Sequence, residues 1–265
     1  MSGTTACKWD SVIPFNDYII VKNKVMYKDE WILNEAYKSY DSVDYLADKF
    51  DTECSKGMWY YLNKLIKPNG AIVLFGNEPF SSALRMSNIK NYKYDWIWNK
   101  KSFANQMMAK KQPLRIVENI MVFNSKVYKP QNLRKVDILT RQGTKITDNL
   151  GGGKRKGQLF QEYTNYPRNI LVFSKDYDGY HPTQKPVKLM EYLIKTYTNE
   201  GETVLDFTMG SGTTMVACVN TNRNGIGIEL DKKYFDISID RIKKANRDLG
   251  IFKHKDFKLN VFKEI

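Results

Sequence analysis

Residues 203–230 constrain the fold more than any other stretch. Thr203-Val204-Leu205-Asp206-Phe207-Thr208 is a short apolar run broken by an acid, and Met209-Gly210-Ser211-Gly212-Thr213-Thr214 follows at once. Gly210 and Gly212 let the backbone turn sharply and approach a ligand closely. A helix is expected to begin near Thr213, where free N–H groups and the positive dipole end attract polar or anionic groups. A second short strand, 225–230, carries Glu229 at its tip. That places an acid roughly 20 residues beyond the turn, where a nucleoside-binding fold keeps its ribose-hydroxyl acceptor. A lone GxG reads as an ordinary tight turn; the strand before it and the spaced acid turn the reading toward a nucleoside site. With no third glycine in a GxGxxG pattern and no Walker lysine, a single nucleoside is favoured over a dinucleotide or NTP.

From Lys56 the chain alternates between helical and strand periodicity. Residues 58–66 read as a helix stopped by Pro68-Asn69-Gly70. Residues 71–75 read as a buried strand, 81–87 as a helix, and 92–98, 116–123 and 169–173 as strands. A helix is expected from Val187, and an amphipathic one over 231–246 with Tyr234, Ile237, Ile242 and Ala245 toward the sheet. Residues 257–262 are expected to close the chain with a strand. Such alternation implies an α/β fold, a doubly wound and mostly parallel sheet with helices on both faces and ligands at the carboxyl ends of the strands. Residues 26–55, rich in tyrosine, read as a partly helical insertion whose aromatics serve packing, with a lid or a base-stacking surface as the alternative.

The 265 residues hold 42 Lys and Arg against 29 Asp and Glu, a net charge of +13. A polyanion is the natural partner. Cys7, Cys54 and Cys218 are far apart, form no CxxC pair, and with two histidines build no zinc site; no metal is expected. No apolar run approaches the ~20 residues of a membrane span, and residues 1–5 begin no signal peptide. A soluble, cytoplasmic protein without membrane partners is expected.

The run His181-Pro182-Thr183-Gln184-Lys185-Pro186, then Asp206-Phe207-Thr208-Met209-Gly210-Ser211-Gly212-Thr213-Thr214, then Gly227-Ile228-Glu229-Leu230 resembles motifs X, I and II of S-adenosylmethionine-dependent DNA amino-methyltransferases. Their order is that of the β group, which methylates adenine N6 or cytosine N4, in its phage-type form. Residues 57–124 and 166–242 can both be laid on this pattern. Many relatives carry D-P-F where this chain has Asp206-Phe207-Thr208, a change that keeps the acid and both glycines. The resemblance implies a Rossmann-like methyltransferase fold divided into a catalytic half (1–124), an inserted target-recognition region (125–165) and an S-adenosyl-L-methionine-binding half (166–265). It also implies that Thr183 and Lys185 touch the donor. Asp206, Gly210, Gly212 and Thr213 would frame the donor's amino-acid portion, Glu229 would take the ribose hydroxyls, and Phe207 would belong to the same cofactor-binding set.

Two basic stretches fit double-stranded DNA in that setting. Residues 100–115 contain Lys100, Lys101, Lys110, Lys111 and Arg115 with no acid, and read as a loop at a DNA surface. Residues 126–168 hold ten Lys or Arg against three acids, including Lys154-Arg155-Lys156 after three glycines, as a basic loop that orders on DNA would. A solvated flexible loop accounts for either stretch as well.

In the family, a GTT…KWD-like segment follows the catalytic tetrapeptide (D/N/S)-P-P-Y. Here Gly3-Thr4-Thr5 is preceded only by Met1-Ser2, so no catalytic residue is assigned. Asn77-Glu78-Pro79-Phe80 looks similar but falls where the family carries an FGxEPF-type segment. Three readings stay open: a site-specific methyltransferase acting on a flipped base, adenine N6 first, linked to restriction-modification; a truncated, inactive relative that still binds DNA or the donor; or a methyltransferase of RNA or protein, which the basic insertion disfavours. An incomplete sheet edge would favour a homodimer.

Overall fold

The computed structural model describes residues 18–21, 24–27, 53–55, 57–141, 158–176, 178–248 and 259–262. Residues 3–10, nearly all of the 26–55 insertion, and the basic residues Lys154, Arg155 and Lys156 lie outside the described residues.

In chain order the elements are β1 (Tyr18–Val21), β2 (Lys24–Tyr27), β3 (Glu53–Ser55), α1 (Met58–Leu65), β4 (Ile72–Gly76), α2 (Phe80–Ser87), β5 (Tyr92–Ala104), β6 (Arg115–Phe123), β7 (Arg134–Arg141), β8 (Gln158–Thr164), β9 (Ile170–Val172), α3 (Val187–Tyr197), β10 (Thr203–Asp206), α4 (Thr213–Asn220), β11 (Asn224–Ile228), α5 (Lys232–Asp248) and β12 (Leu259–Phe262). One sheet has the order β4-β6-β5-β9 and another β10-β11-β12; β2-β1-β3 and β7-β8 are small antiparallel units.

The α/β Rossmann-like class expected from the alternation stands, with mixed pairing. β10, β11 and β12 are all parallel, and β9 lies parallel to β5. β6 runs antiparallel to both β4 and β5, so those two point the same way and their carboxyl ends face one side. β9, past the expected boundary at 165, joins the sheet of the first half.

Both faces of the first sheet are covered because β6 alternates. Ile120 and Val122 pack with Trp96, Trp98 and Leu171 against Leu189, Leu193 and Tyr197 of α3. Met121 and Phe123 point the other way, to Trp59 and Leu62 of α1 and Leu84 of α2. Period-2 side-chain direction in a strand produces this division, and all four β6 residues are fully buried. Beneath the second sheet, α4 is buried from Thr213 to Val219 and packs with Ile194 of α3 and Ile242 of α5. Thus α3 serves both sheets. On α5 the inward residues are Ser238 and Ile242; Tyr234, Ile237 and Ala245, expected inside, are half-buried.

One expectation is corrected. Residues 100–115 are not a loop: β5 continues to Ala104, pairs there with Arg115 across an irregular stretch, and a 3-10 turn at Gln106–Met108 closes the hairpin. The polar, cationic side chains hide the strand, because backbone pairing at a sheet's end needs no apolar alternation.

Candidate functional site

The glycine turn sits between β10 and α4 as its sequence requires. Gly210 and Gly212 have φ of 54° and 77°, a region open to glycine but strained for other residues. At Gly212 space is limiting too: a Cβ there would stand 2.7 Å from Cβ of Ser238. The Gly212 amide closes the turn by donating to the Met209 carbonyl at 2.9 Å, and α4 begins at the next residue.

Acids flank this turn. Asp206 Oδ2 accepts from the Thr214 hydroxyl at 2.5 Å and Oδ1 from the Thr208 amide at 3.1 Å. Burial raises the Asp206 carboxyl above its ordinary range; those two donors oppose the rise, and the Glu229 charge adds to it. Glu229 is buried at the tip of β11. Its Oε2 accepts from the Gly210 amide at 2.8 Å and its Oε1 from the Asp231 amide at 2.9 Å. The expected ribose acceptor is therefore drawn onto the turn itself.

The His181–Pro186 loop meets the turn from the other side. The His181 ring lies 3.6 Å from where a Gly210 Cβ would be and packs edge-on against Tyr234 of α5, centroids 4.2 Å apart. Burial lowers its pKa, with Lys185 adding to the fall and Glu229 and Asp231 opposing it. The Thr183 amide and hydroxyl lie 3.1 and 3.0 Å from His181 Nδ1. Gln184 Oε1 faces the Ser211 hydroxyl at 3.4 Å, while its Nε2 is buried with no hydrogen-bond partner among the described residues. A cleft of about 420 Å³ opens beside this loop, lined by Asp176, Tyr180, His181, Pro182, Gln184 and Tyr234 among others.

Lys185 crosses to the first sheet. Its ammonium is 2.6 Å from Glu118 of β6, whose other oxygen holds Lys100 of β5 at 3.0 Å. Lys185 lies over the rings of Phe75 and Trp98, at 5.0 and 5.8 Å. Burial opposes ionisation of Glu118, yet Lys185 and Lys100 outweigh it and hold its carboxyl below the usual range. Lys100, expected at a DNA surface, is 8% exposed with its charge committed to Glu118. It is withdrawn from the exposed cations, leaving Lys101, Lys110 and Lys111 in solvent.

Asp206, Gly210, Gly212, Thr213 and Glu229 thus gather around one turn, with Thr183 at its rim. Phe207 packs on the α1–α2 side of the first sheet, and Lys185 is anchored on β6. Sequence reasoning missed two residues that hold this arrangement. Glu118 carried a signal, since it is the single acid in the mostly apolar strand RIVENIMVF. Arg241 carried none: from α5 its Nη1 donates to the Ser211 carbonyl (2.7 Å), the Ser211 hydroxyl (3.0 Å) and the Thr213 hydroxyl (3.1 Å), with the guanidinium 4.9 Å from the Tyr180 ring centroid. Asn77–Phe80 has a structural role. Glu78 is held at about 2 by hydrogen bonds from Ser81 and Ser82, then by Arg85, and Pro79 caps α2.

A parallel strand–turn–helix–strand with a buried acid at the second strand's tip defines a Rossmann-like α/β protein of the nucleoside-binding kind. The comparisons narrow this. A DNA methylase family model matches residues 14–240, and the chain belongs to that N6/N4 DNA methylase family. It is 36% identical over 120 residues to the type II methyltransferase M.HpaI of Haemophilus parainfluenzae, covering 41% of this chain and 38% of that protein. With M2.DpnII of Streptococcus pneumoniae it shares 44% over 68 residues, 26% of this chain and 25% of the other. These alignments span well under half of those relatives. The solved M1.HpyAVI complex with SAM superposes with a TM-score of 0.50 at 28% identity, covering 68% of this chain and 78% of that one. The cytosine-N4-specific PvuII DNA methyltransferase (TM-score 0.51, 18% identity, 78% and 79% covered) shares the fold.

Proposed function

We propose that this chain is a DNA amino-methyltransferase that moves a methyl group from S-adenosyl-L-methionine to the exocyclic amine of a flipped base in double-stranded DNA, adenine N6 first. The observation that carries the reading is the His181–Pro186 loop, which ties the glycine turn to the first sheet: His181 and Gln184 meet the turn and Lys185 binds Glu118. The loop thereby links the glycine turn to β6 of the first sheet, which supports a donor site beside it.

The residues fit the donor's chemistry. Gln184 Nε2 is a buried donor without a partner among the described residues, and a buried donor is costly until it is paired, as a ligand oxygen would do. Lys185, paired with Glu118 but 24% exposed and with further ammonium N–H groups, is a cation for a carboxylate, Asp206 an acceptor for an ammonium, and Glu229 an acceptor for a diol. When bound, the donor supplies a methyl group already activated on a sulfonium. The amine nitrogen would bond to the methyl carbon as the S–C bond gave its electron pair to sulfur, leaving a neutral thioether, and the proton from nitrogen would pass to solvent water. The chain's part is placement: Asp206, Gly210, Gly212 and Thr213 frame the amino-acid end, Thr183 and Lys185 close it, and Glu229 fixes the ribose.

Further parts of the reading follow the family pattern. Residues 125–165, containing the β7–β8 hairpin, are the target-recognition region, with Lys154, Arg155 and Lys156 on DNA phosphates beside Lys101, Lys110 and Lys111. The protein works in the cytoplasm of a bacterium or a phage-infected cell, within restriction-modification. Among the described residues β4 and β10 end their sheets, which supports a homodimer by edge pairing; a scattering mass that stays monomeric at all concentrations would argue against it.

The test is transfer of a labelled methyl group from S-adenosylmethionine to unmethylated DNA, with Asp206→Ala as control and nucleoside digestion of the product. Label in N6-methyladenine that disappears in the variant supports the reading, and label in N4-methylcytosine moves the target to cytosine. Donor binding by calorimetry without transfer from a folded sample replaces it with a binding protein.

A further inference from the structure

The β5–β6 hairpin extends past the site, and its tip combines two kinds of side chain. From Trp96 to Val117 the sequence has no acid, and Lys101, Lys110, Lys111 and Arg115 are exposed. Met107 stands among them 99% exposed, with Phe103 at 53% and Met108 at 39%. A solvated face accounts for the cations and leaves these three apolar side chains unexplained.

The tip is a folded knuckle. The Arg115 amide donates to Asn105 Oδ1 at 2.9 Å, closing the base. Inside it the Met108 amide donates to Asn105 O at 2.9 Å, and the Lys111 amide to Met108 O at 2.8 Å. The backbone takes positive φ at Lys101 and Asn105, 57° and 60°, as a tight reversal requires.

Direction decides what the tip faces. β5 leaves the sheet at the end where β4 reaches Gly76 and where Lys100, Glu118 and Lys185 meet. Ligands of an open α/β sheet bind at the carboxyl ends of its strands. At ~3.3 Å per residue, the three β6 residues from Glu118 to Arg115 carry the base of the tip on the order of 10 Å beyond that ion cluster, while β5 covers the same span with a bulge.

From this we infer that Met107, backed by Met108 and Phe103, is a wedge that enters duplex DNA between base pairs, while Lys101, Lys110, Lys111 and Arg115 hold the phosphates on either side. Methionine is among the apolar side chains that separate base steps, and its unbranched thioether adapts to an irregular gap. Cations on either side fix the backbone without reading sequence. The wedge unstacks a base so that the neighbouring pocket can receive it. This rests on the proposed reading insofar as duplex DNA is the substrate, but requires no methyl transfer. An anionic membrane surface also suits cations with apolar side chains; duplex DNA is favoured because the tip springs from the strands that carry the ligand-side ion cluster.

The experiment maps permanganate oxidation of thymines on a linear unmethylated plasmid saturated with the full-length chain. It compares the wild type with Met107→Ala/Met108→Ala and Lys110→Ala/Lys111→Ala. Wild type should raise reactivity several-fold at discrete thymines. The methionine variant, altered at solvent-exposed positions, should melt as the wild type does, keep DNA affinity within about threefold, and lose the enhancement. The lysine variant should bind about tenfold more weakly, with the log–log salt slope reduced by about 2. No enhancement by wild type, an enhancement unchanged in the methionine variant, or loss confined to binding of phosphatidylserine vesicles would each overturn the wedge. Labelled methyl transfer run alongside separates the two ideas. Unstacking without transfer keeps the wedge and counts against the donor site, whereas transfer without unstacking does the reverse.

Discussion

Lys100 and Lys101 are neighbours in sequence and opposites in circumstance. Lys100 is buried on Glu118, sharing that carboxylate with Lys185; Lys101 begins a run of cations in open solvent. Residues 100–115 look uniformly basic on paper, yet the charges at their two ends do different jobs. At the root of the hairpin, charge is spent on internal structure and fixes where Lys185 stands. At the tip it faces outward. The contrast teaches that a basic stretch is not a unit of function, because burial decides which of its charges a partner can feel.

The comparison is broken most severely at its root. Glu118→Gln leaves two ammoniums around a neutral amide and should cost about 3–5 kcal/mol, since removing one partner strands buried charge. Chemical denaturation measures this. Lys100→Met should cost much less, because Glu118 keeps Lys185.

Next in size is the glycine turn, the other tightly built region. Gly212→Val meets both a positive φ and Ser238, and should lose about 2–4 kcal/mol together with donor affinity. Calorimetric melting and donor titration read both losses. Arg241→Ala removes the hydrogen bonds onto Ser211 and Thr213 and should cost about 1–3 kcal/mol. A donor-affinity loss exceeding the stability loss would assign Arg241 to holding the turn.

Acid sharpens the comparison more gently. Glu118 is held below the usual carboxylate range, so it binds fewer protons folded than unfolded. Its contribution is complete above the ordinary glutamate value of 4.5 and fades as pH falls toward its lowered value. Wild-type stability should decline on acidification, with a shallower slope in Glu118→Gln. Smallest of all is the tip: Lys110→Ala/Lys111→Ala should change stability by less than about 0.5 kcal/mol, as solvent-exposed substitutions do. A large destabilisation there would erase the distinction.

The same two regions divide what was legible in the sequence. Signals around the turn are local. Gly210 and Gly212 mark positive φ, Thr213 the first residue of α4, and Glu229 the tip of β11, and each holds in the structure. The first sheet depends on partners far apart in the chain. Nothing near Ile170 announces that it pairs with Ile97, and the cations of 100–104 conceal a strand whose pairing is made by backbone. Glu118 was visible as an acid among apolar residues, but its two lysines come from β5 and from a loop 67 residues onward. Glu229 was placed correctly while its hydrogen bonds to Gly210 and Asp231 were not, because only coordinates show which way a carboxylate points. The roles of Thr183, Lys185 and the basic residues remain proposals drawn from the family pattern.

The position of α3 sets a schedule for biosynthesis. Trp96 and Trp98 lie in the first sheet, yet Leu189, Leu193 and Tyr197 complete their burial, and the Trp96 indole donates to the Tyr197 hydroxyl across 101 residues. As the ribosome delivers the chain, β4, β5 and β6 can pair long before that helix exists. Until α3 emerges, two tryptophans and the aliphatic face of β6 have no cover. A nascent chain in this interval offers a ready surface to chaperones, and the same surface is where ribosome stalling would seed aggregation. The helix that joins the two sheets is also the element whose arrival ends the chain's most vulnerable period.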